Sequence, residues 1–286
     1  MKILIIGSEG LIGKSIKKIL TKKFHVTTID IDNKKKLKND LKLDLKKTLN
    51  FTKLKAENAD IAVLFAFFKS QPKDFSSVNK NFFFNTNKKI LNNSLKICKL
   101  FKIKKIIYFS SPAIYQKNYK DIKIRENFKK KPKNIYGKFK LYAENKVINF
   151  GKDNNIIAIN LRLFNYFDNK GNILIKNFQR QISKKKVVLN GNGYQKRDFL
   201  HVEDIARSII EISKKRIKSG NYNLCSSIGV TINDILKRYL KKKNFKIKIE
   251  YKNKYKKVDY LVGNNQKLKK IINLRVTKKF NDFILK

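Results

Sequence analysis

Cysteine is nearly absent: Cys98 and Cys225 stand far apart and in no paired spacing of metal ligands. That excludes a disulfide framework and a cysteine-based metal site, and it fits a reducing compartment in which buried thiols serve packing. Long apolar runs are missing too. The one notable run, IAVLFAFF from Ile61 to Phe68, falls far short of the roughly 20 residues a membrane helix needs. In the opening MKILIIGSEG, glycine and glutamate cut the apolar stretch before a signal-peptide core can form. A cytoplasmic protein without a membrane span is therefore expected.

Acidic residues are scarce, 21 against 69 basic ones, for a net charge of +48. Arginine is also scarce, 8 of the basic residues, whereas base-edge and phosphate recognition favours the arginine fork. The lysines are spread along the whole chain beside abundant Asn, Ile and Phe, the bias of an AT-rich genome. They read as a solvated surface, with nucleic acid disfavoured beyond nonspecific attraction at clusters such as YKNKYKK, Tyr251 to Lys257. With 286 residues, 42% of them hydrophobic, the chain can bury a core as one large domain or two closely packed lobes.

Glycine numbers only 11, so its placement is informative. KILII, Lys2 to Ile6, reads as a strand buried on both faces. It runs into GSEGLIG, where Gly7, Gly10 and Gly13 stand at three-residue intervals before the helix LIGKSIKKILTKK. One glycine permits the tight turn, the next lets a pyrophosphate approach the backbone, and the third lets helix and strand pack closely. The helix N-terminus then faces the phosphates. A second strand, HVTTID, ends in Asp30, seventeen residues after Gly13. A carboxylate there accepts hydrogen bonds from both hydroxyls of an adenosine ribose and repels a 2′-phosphate, which favours NAD over NADP. Lys34, Lys35 and Lys36 would soften that preference, and Asp32 is an alternative acceptor.

Strand-like and helix-like segments alternate through the rest of the first half. LKLDL, ADIAVLFAF, IKKIIYFSS and IIAINLRLF (Ile156 to Phe164) read as strands, and residues 77 to 101 and 134 to 151 as helices. This alternation implies an α/β fold, a Rossmann-like doubly wound parallel sheet with right-handed crossovers. The last 120 residues or so are less regular and read as a smaller C-terminal substrate-binding lobe. The expected division is 1–163 for the NAD-binding domain and 164–286 for the lobe, with segments returning to the first domain around 196–225.

IYGKFKLYAE, Ile135 to Glu144, sets Tyr136 and Lys140 one helical turn apart. Spacing alone is uninformative, because five of the twelve tyrosines have a lysine four places on. Context separates them. The strand IKKIIYFSS ends in Ser110 and Ser111 followed by PAIY, and PKNIYGKFKLYAE begins with Pro132 ahead of a helix. Together these resemble the extended short-chain dehydrogenase/reductase superfamily, in its NAD-dependent sugar epimerase/dehydratase branch. GSEGLIG resembles the GxxGxxG loop, SSPAIY the SSxxVYG strand end, PKNIYGKFKLYAE the PxxxYGxSKxxAE helix, LRLFN the RxFN segment, and GNGYQKRDFLHVEDIA the GxGxQxRDFxHVxDxA element.

The resemblance implies Ser111, Tyr136 and Lys140 as catalytic residues. It implies a cofactor site formed by Gly7, Gly10, Leu11, Ile12, Gly13, Asp30, the adenine-bordering Asp44 and Leu45, the loop Phe65, Ala66 and Phe67, and Tyr136 and Lys140 themselves. It implies substrate contacts from Ser111, Asn165 and Arg197, the last to a diphosphate, and a structural asparagine at Asn87, with Asn85 as the rival. His201 and His25 are read as structural, and no metal is expected. The implied partner is a nucleotide-diphosphate sugar, and a homodimer is compatible with the family.

The chemistry follows from residue types. A free tyrosine has a pKa near 10, so a tyrosine base at neutral pH needs a nearby positive charge. Lys140 supplies it while bonding the nicotinamide ribose. Sugar 4,6-dehydratases of the family place Asp and Glu directly after the catalytic hydroxyl, where this chain has Pro112 and Ala113. The epimerase/reductases that make GDP-fucose carry cysteine at the position of Ala113. Phe139 and Leu64 also depart from the family's usual serine and histidine. The expectation is an NAD-dependent nucleotide-sugar epimerase acting at one carbon, which the resemblance implies is the sugar C4. The alternative is an NAD(P)H-dependent nucleotide-sugar 4-ketoreductase, and a remote one is a non-enzymatic RNA-binding Rossmann relative.

Overall fold

A computed structural model describes residues 1–33, 40–54, 56–69, 80–168, 173–253, 257–280 and 282. In chain order the elements are β1 (Lys2–Ile6), α1 (Leu11–Leu20), β2 (His25–Asp30), β3 (Asp40–Lys42), β4 (Ile61–Leu64), α2 (Lys80–Leu100), β5 (Lys105–Ser110), α3 (Ile135–Asp153) and β6 (Ile157–Leu163). They continue as β7 (Asn165–Phe167), α4 (Ile173–Ile182), β8 (Lys186–Asn190), β9 (Lys196–His201), α5 (Val202–Lys214), β10 (Gly220–Leu224), β11 (Gly229–Thr231), α6 (Ile232–Lys242), β12 (Lys248–Lys252), β13 (Tyr260–Leu261) and α7 (Gln266–Lys269).

The central sheet has seven strands in the order β10-β6-β5-β4-β1-β2-β3. From β6 to β3 the neighbours pair in parallel. The strands are apolar because both faces are covered: Ile3 to Ile6 of β1 and all six residues of β5 are buried. α2 and α3 pack on one face, where Leu4, Ile106, Leu95, Phe139, Ala143 and Val147 share a core. Strand order reverses between β1 and β4, and the carboxyl ends of strands at such a switch point form the ligand crevice of an open α/β sheet. The sequence reads β4 through to Phe67, but the strand ends at Leu64. Phe65 and Ala66 both turn their N–H groups onto Ile6 O, at 2.8 and 2.9 Å, which closes the strand against β1 just before the crevice. The strand expected over Leu41 to Leu45 is likewise shorter, Asp40–Lys42.

The chain divides into two compact units. The first is Met1–Tyr115, Lys130–Arg162 and Ile209–Tyr222, and the second is Gln116–Lys129, Leu163–Ser208 and Asn223–Lys286. The segment Gln116–Lys129, read from sequence as part of the first domain, thus belongs to the second unit. The second unit has β9 at the centre of a four-stranded sheet, flanked by β11, β13 and β7, beside a two-stranded β12–β8 pair. Its core gathers Phe167, Phe178, Phe199, Ile235, Leu236 and Phe280. Asp198 anchors it from within: the buried carboxylate accepts from Ser226 N (2.8 Å), Ser226 Oγ (2.6 Å), Ser227 N (3.0 Å) and Gly263 N (3.2 Å). Burial nevertheless pushes its pKa up to about 6, against the pull of those bonds.

Among the described residues, no helix is long and apolar enough to cross a membrane, and no group of three or more His, Cys, Asp or Glu is placed to hold a metal ion. Cys98 and Cys225 are free thiols, both buried.

Candidate active site

The glycine loop is built by steric exclusion. Gly7 sits at φ +89°, and a Cβ there would lie 2.3 Å from Ala66 N; a Cβ at Gly13 would lie 2.2 Å from Gly7 O. Both positions therefore admit no side chain. At Gly10 a Cβ would meet only Gly7 O, at 3.6 Å, so this backbone face is open at the start of α1. Ser8 Oγ is buried there and has no hydrogen-bond partner among the described residues. A bare helix N-terminus, an open glycine and an orphaned hydroxyl suit a pyrophosphate.

A cavity of about 280 Å³ extends from this loop and is lined by Gly7, Gly10, Asp30, Asp44, Leu45, Phe65, Ala66 and Phe67, among others. Leu11, Ile12 and Gly13 lie outside its lining: Leu11 is exposed, Ile12 half-buried, and Gly13 packs under Gly7. Asp30 Oδ2 accepts from Glu9 N at 2.8 Å and Oδ1 from Asp32 N at 3.0 Å, which fixes the carboxylate with lone pairs to spare. Glu9, Asp32 and Asp44 also line the cavity, against the two lysines Lys46 and Lys69. Among the described residues of this cleft, carboxylates outnumber lysines by four to two. Lys34, Lys35 and Lys36 lie outside the described residues. Asn87, buried on α2, clamps the far side of the cavity loop: its Oδ1 accepts from Phe68 N at 2.8 Å and its Nδ2 donates to Phe68 O at 3.1 Å. Asn85 is exposed.

Ser111 and Tyr136 are brought together by main chain. After β5 the backbone makes a 3₁₀ turn over Pro112–Ile114, capped by Ser111, whose Oγ accepts from Ala113 N at 3.2 Å. α3 begins against this turn, and a Cβ on Gly137 would be 2.3 Å from Ala113 O. Asn134 caps the helix, accepting from Gly137 N at 2.8 Å. Burial pushes the Tyr136 phenol above its ordinary pKa, while its hydrogen bond with Ser111 pulls it back.

Lys140 is buried one turn further along. Its Nζ donates to Phe109 O (2.8 Å) and Tyr108 Oη (3.1 Å), and lies 4.8 Å from the Phe67 ring centroid and 5.9 Å from that of Tyr136. Burial pulls its pKa down to about 7, with Glu144 opposing. Tyr142, the other tyrosine of this helix with a lysine four places on, packs instead on Phe84 of α2 at 5.3 Å.

Three neighbours carry no signal in isolated spacing: Tyr108, Glu144 and Arg162. Glu144 and Arg162 form a buried two-pronged ion pair, Nε to Oε1 at 2.8 Å and Nη2 to Oε2 at 2.7 Å. Arg162 Nη1 also donates to Tyr115 Oη at 2.8 Å. Glu144 and Arg162 stand inside the PKNIYGKFKLYAE and LRLFN segments, but only their meeting across α3 and β6 gives them a role.

In the second unit, Arg197 lines a cavity of about 460 Å³ with Lys117, Tyr119, Asn192, Gln195 and Lys257. Its guanidinium is held by Asp259, through O at 3.1 Å and Oδ2 at 3.3 Å. Asn165 is outside that lining, and its Nδ2 donates to Asp198 O at 3.1 Å. His201 is buried, its Nδ1 accepting from Glu203 N at 3.3 Å and its ring 4.9 Å from Phe167. Burial, then the Lys278 charge, lowers its pKa below the ordinary histidine value. His25 opens β2 at the surface, 3.7 Å from Glu57.

The profile of the NAD dependent epimerase/dehydratase family matches residues 3–225. The chain belongs to this family. A dTDP-D-glucose 4,6-dehydratase of Dictyostelium discoideum is 28% identical over 268 residues, covering 84% of this chain but 61% of its own length, so the chain spans under two thirds of that relative. Among solved structures, a UDP-N-acetylglucosamine 4-epimerase from Methanobrevibacter ruminantium M1, in complex with UDP-N-acetylmuramic acid, superposes with a TM-score of 0.80 at 21% identity, over 99% of this chain and 96% of the other. A UDP-glucuronic acid 4-epimerase from Bacillus cereus, in complex with NAD, does so with a TM-score of 0.82 at 21% identity, over 100% and 96%. At these identities the superpositions establish the Rossmann-like fold.

Proposed function

We propose that the protein is an NAD-dependent nucleotide-sugar epimerase that oxidises and re-reduces one sugar carbon, the C4 carbinol by preference. The observation that carries this reading is the placement of Ser111, Tyr136 and Lys140 at the ends of β5 and α3, with no proton-transfer group at Pro112 or Ala113. Bound NAD would take up a hydride from the sugar and return it. Gly7 and Gly10, with the start of α1, would hold the pyrophosphate, Asp30 the adenosine ribose, and Lys140 the nicotinamide ribose.

Tyr136 would take the proton of the sugar hydroxyl as hydride leaves and give it back on return. Ser111 would hydrogen-bond the same oxygen and keep it at the phenol. Burial opposes a phenolate, so Tyr136 acts as a base only with the Lys140 ammonium beside it. In this reading the reactive state is phenolate beside ammonium, one proton fewer than the resting phenol and ammonium. The family relative named as a dehydratase raises elimination of water as a competitor. Such elimination needs an acid beside the hydroxyl, and proline and alanine move no proton.

A panel of UDP-, GDP-, CDP- and dTDP-sugars tests the reading. An epimerase retains NAD through purification and changes stereochemistry with no net consumption of cofactor. Stoichiometric NADH or NADPH use would instead make it the 4-ketoreductase. Asp30→Ala is expected to weaken NAD by about 10- to 100-fold, the worth of charged hydrogen bonds lost from the ribose, and NADP far less. Calorimetric titration with both cofactors checks this, and equal losses would remove Asp30 from the ribose. Arg197, in the second unit's cavity, suits a diphosphate by its fork. Arg197→Ala is expected to raise the KM for nucleotide sugar at least 10-fold, with NAD affinity unchanged within twofold; a loss of NAD affinity instead would refute the assignment.

A further inference from the structure

Two side-chain-to-side-chain polar rungs join α3 to β5 beside the apolar contacts of the same face. Lys140 Nζ donates to Tyr108 Oη at 3.1 Å, and Ser110 Oγ donates to Glu144 Oε1 at 2.6 Å. Lys140 and Glu144 are four helical residues apart, a rise of about 6 Å. Tyr108 and Ser110 are two strand residues apart on one face, about 6.7 Å. The spacings match, so both rungs close together. The surrounding contacts of this face, Ile106, Phe139, Ala143 and Val147, are apolar, and a phenylalanine would fill the place of the Tyr108 ring. Burying its hydroxyl is unfavourable without a partner, and the partner is the Lys140 nitrogen.

The two acceptors of Lys140 differ in kind. Phe109 O only accepts, so it takes an N–H from the ammonium or from the neutral amine but has no hydrogen to give the amine's lone pair. The Tyr108 hydroxyl accepts from an ammonium and, turning its hydrogen, donates to an amine. Burial, then the charges of Tyr136 and Glu144, hold the Tyr108 phenol well above its ordinary pKa, so it remains a neutral hydroxyl throughout. The Tyr108 ring centroid, 4.7 Å from Nζ, and that of Phe67, 4.8 Å away, complete a dry aromatic lining. The titratable groups facing Lys140 are Tyr108 from β5, and Tyr136 and Glu144 from its own helix. Behind Glu144 stands the Arg162 guanidinium of β6.

We propose that Tyr108 is a positioning residue for Lys140, its hydroxyl standing in for water around the buried lysine nitrogen, charged or neutral, and holding it beside Tyr136 through the proton cycle. This rests on the reading of Ser111, Tyr136 and Lys140 as the reacting triad, but its test does not depend on turnover. In cofactor-free protein labelled with ¹³C at the lysine ε-carbons, one resonance among the sixty-one lysines should titrate near pH 7 and vanish in Lys140→Met.

In Tyr108→Phe, which keeps the ring and loses the oxygen, that resonance should report a proton affinity about tenfold lower, because the charge-assisted bond to the ammonium is stronger than the bond to the amine and its loss weighs more. With NAD and substrate, kcat should fall about 10- to 100-fold. A folded Tyr108→Phe protein whose Lys140 titration is unmoved overturns the proposal, even if its thermal stability drops, because a purely structural hydroxyl would do only that. Tyr108→Met, of similar bulk and also without oxygen, makes the same test should the phenylalanine variant not fold. Undiminished turnover in Tyr136→Phe would overturn the triad reading instead, and the Lys140 titration separates the two failures.

Discussion

Tyr136→Phe should fold, bind NAD as the parent chain does, and turn over nucleotide sugar about 10²- to 10⁴-fold more slowly, the usual loss for a general acid-base group. The substitution keeps the ring, and with it the edge-to-face contact with Phe67 at 5.3 Å. What goes is one hydroxyl, bonded to Ser111. Tyr142→Phe is the matched control: same helix, same chemical change, and a lysine four places on. Its ring lies six residues, about one and two-thirds turns, from Tyr136 and packs on Phe84, and loss of its hydroxyl should alter turnover by less than about threefold. Turnover with the sugar nucleotide identified by the panel decides it. A Tyr136→Phe enzyme of near-normal rate, or a folded but inactive Tyr142→Phe, would remove Tyr136 from the chemistry.

Glu144→Gln should be among the most destabilising single changes in the chain. Glu144 and Arg162 have side chains 1% and 0% exposed, and the amide preserves shape while leaving the guanidinium charge buried without a counter-charge. Breaking such a pair from one side costs about 3–5 kcal/mol, a fall in Tm of about 10 °C for a unit of this size. Burial works against the Arg162 charge, and Glu144 together with Tyr115 outweighs it, so that its pKa lies above the ordinary value. The loss would spread: Ser110 gives up its carboxylate acceptor, and α3 its second rung to β5. Thermal unfolding followed by circular dichroism measures the effect, and a change under 2 °C would mean that water reaches the pair.

Much of this was legible in one dimension, for physical reasons. Buried parallel strands must be apolar on both faces, so KILII and IKKIIYFSS declare themselves, and helix α3 announces its start through Pro132. The glycine loop is readable because Gly7 and Gly13 tolerate no Cβ. Strand ends were less readable. IAVLFAFF runs on apolar past Leu64, yet the chain turns there because two N–H groups find Ile6 O, a partner more than fifty residues back. Tyr108 and the Glu144–Arg162 pair were not legible as a working set, since a tyrosine in a strand reads as bulk and an arginine in LRLFN reads as charge. Gln116–Lys129 reads as a loop of the first half, and only long-range bonds such as Ile124 N to Val262 O at 2.8 Å place it with the second unit.

The contact between Gly137 and Ala113 O carries a consequence for how such enzymes diversify. The separation of serine hydroxyl and phenol is set by backbone touching backbone, so it is indifferent to the side chains carried by the intervening turn. Residues 112 and 113 can therefore be exchanged, among acid, thiol or inert groups, without re-aiming the oxygens on either side. On the proposed assignment of Ser111 and Tyr136, the reaction outcome would depend on which groups this three-residue turn presents, while the alignment of the two oxygens would not.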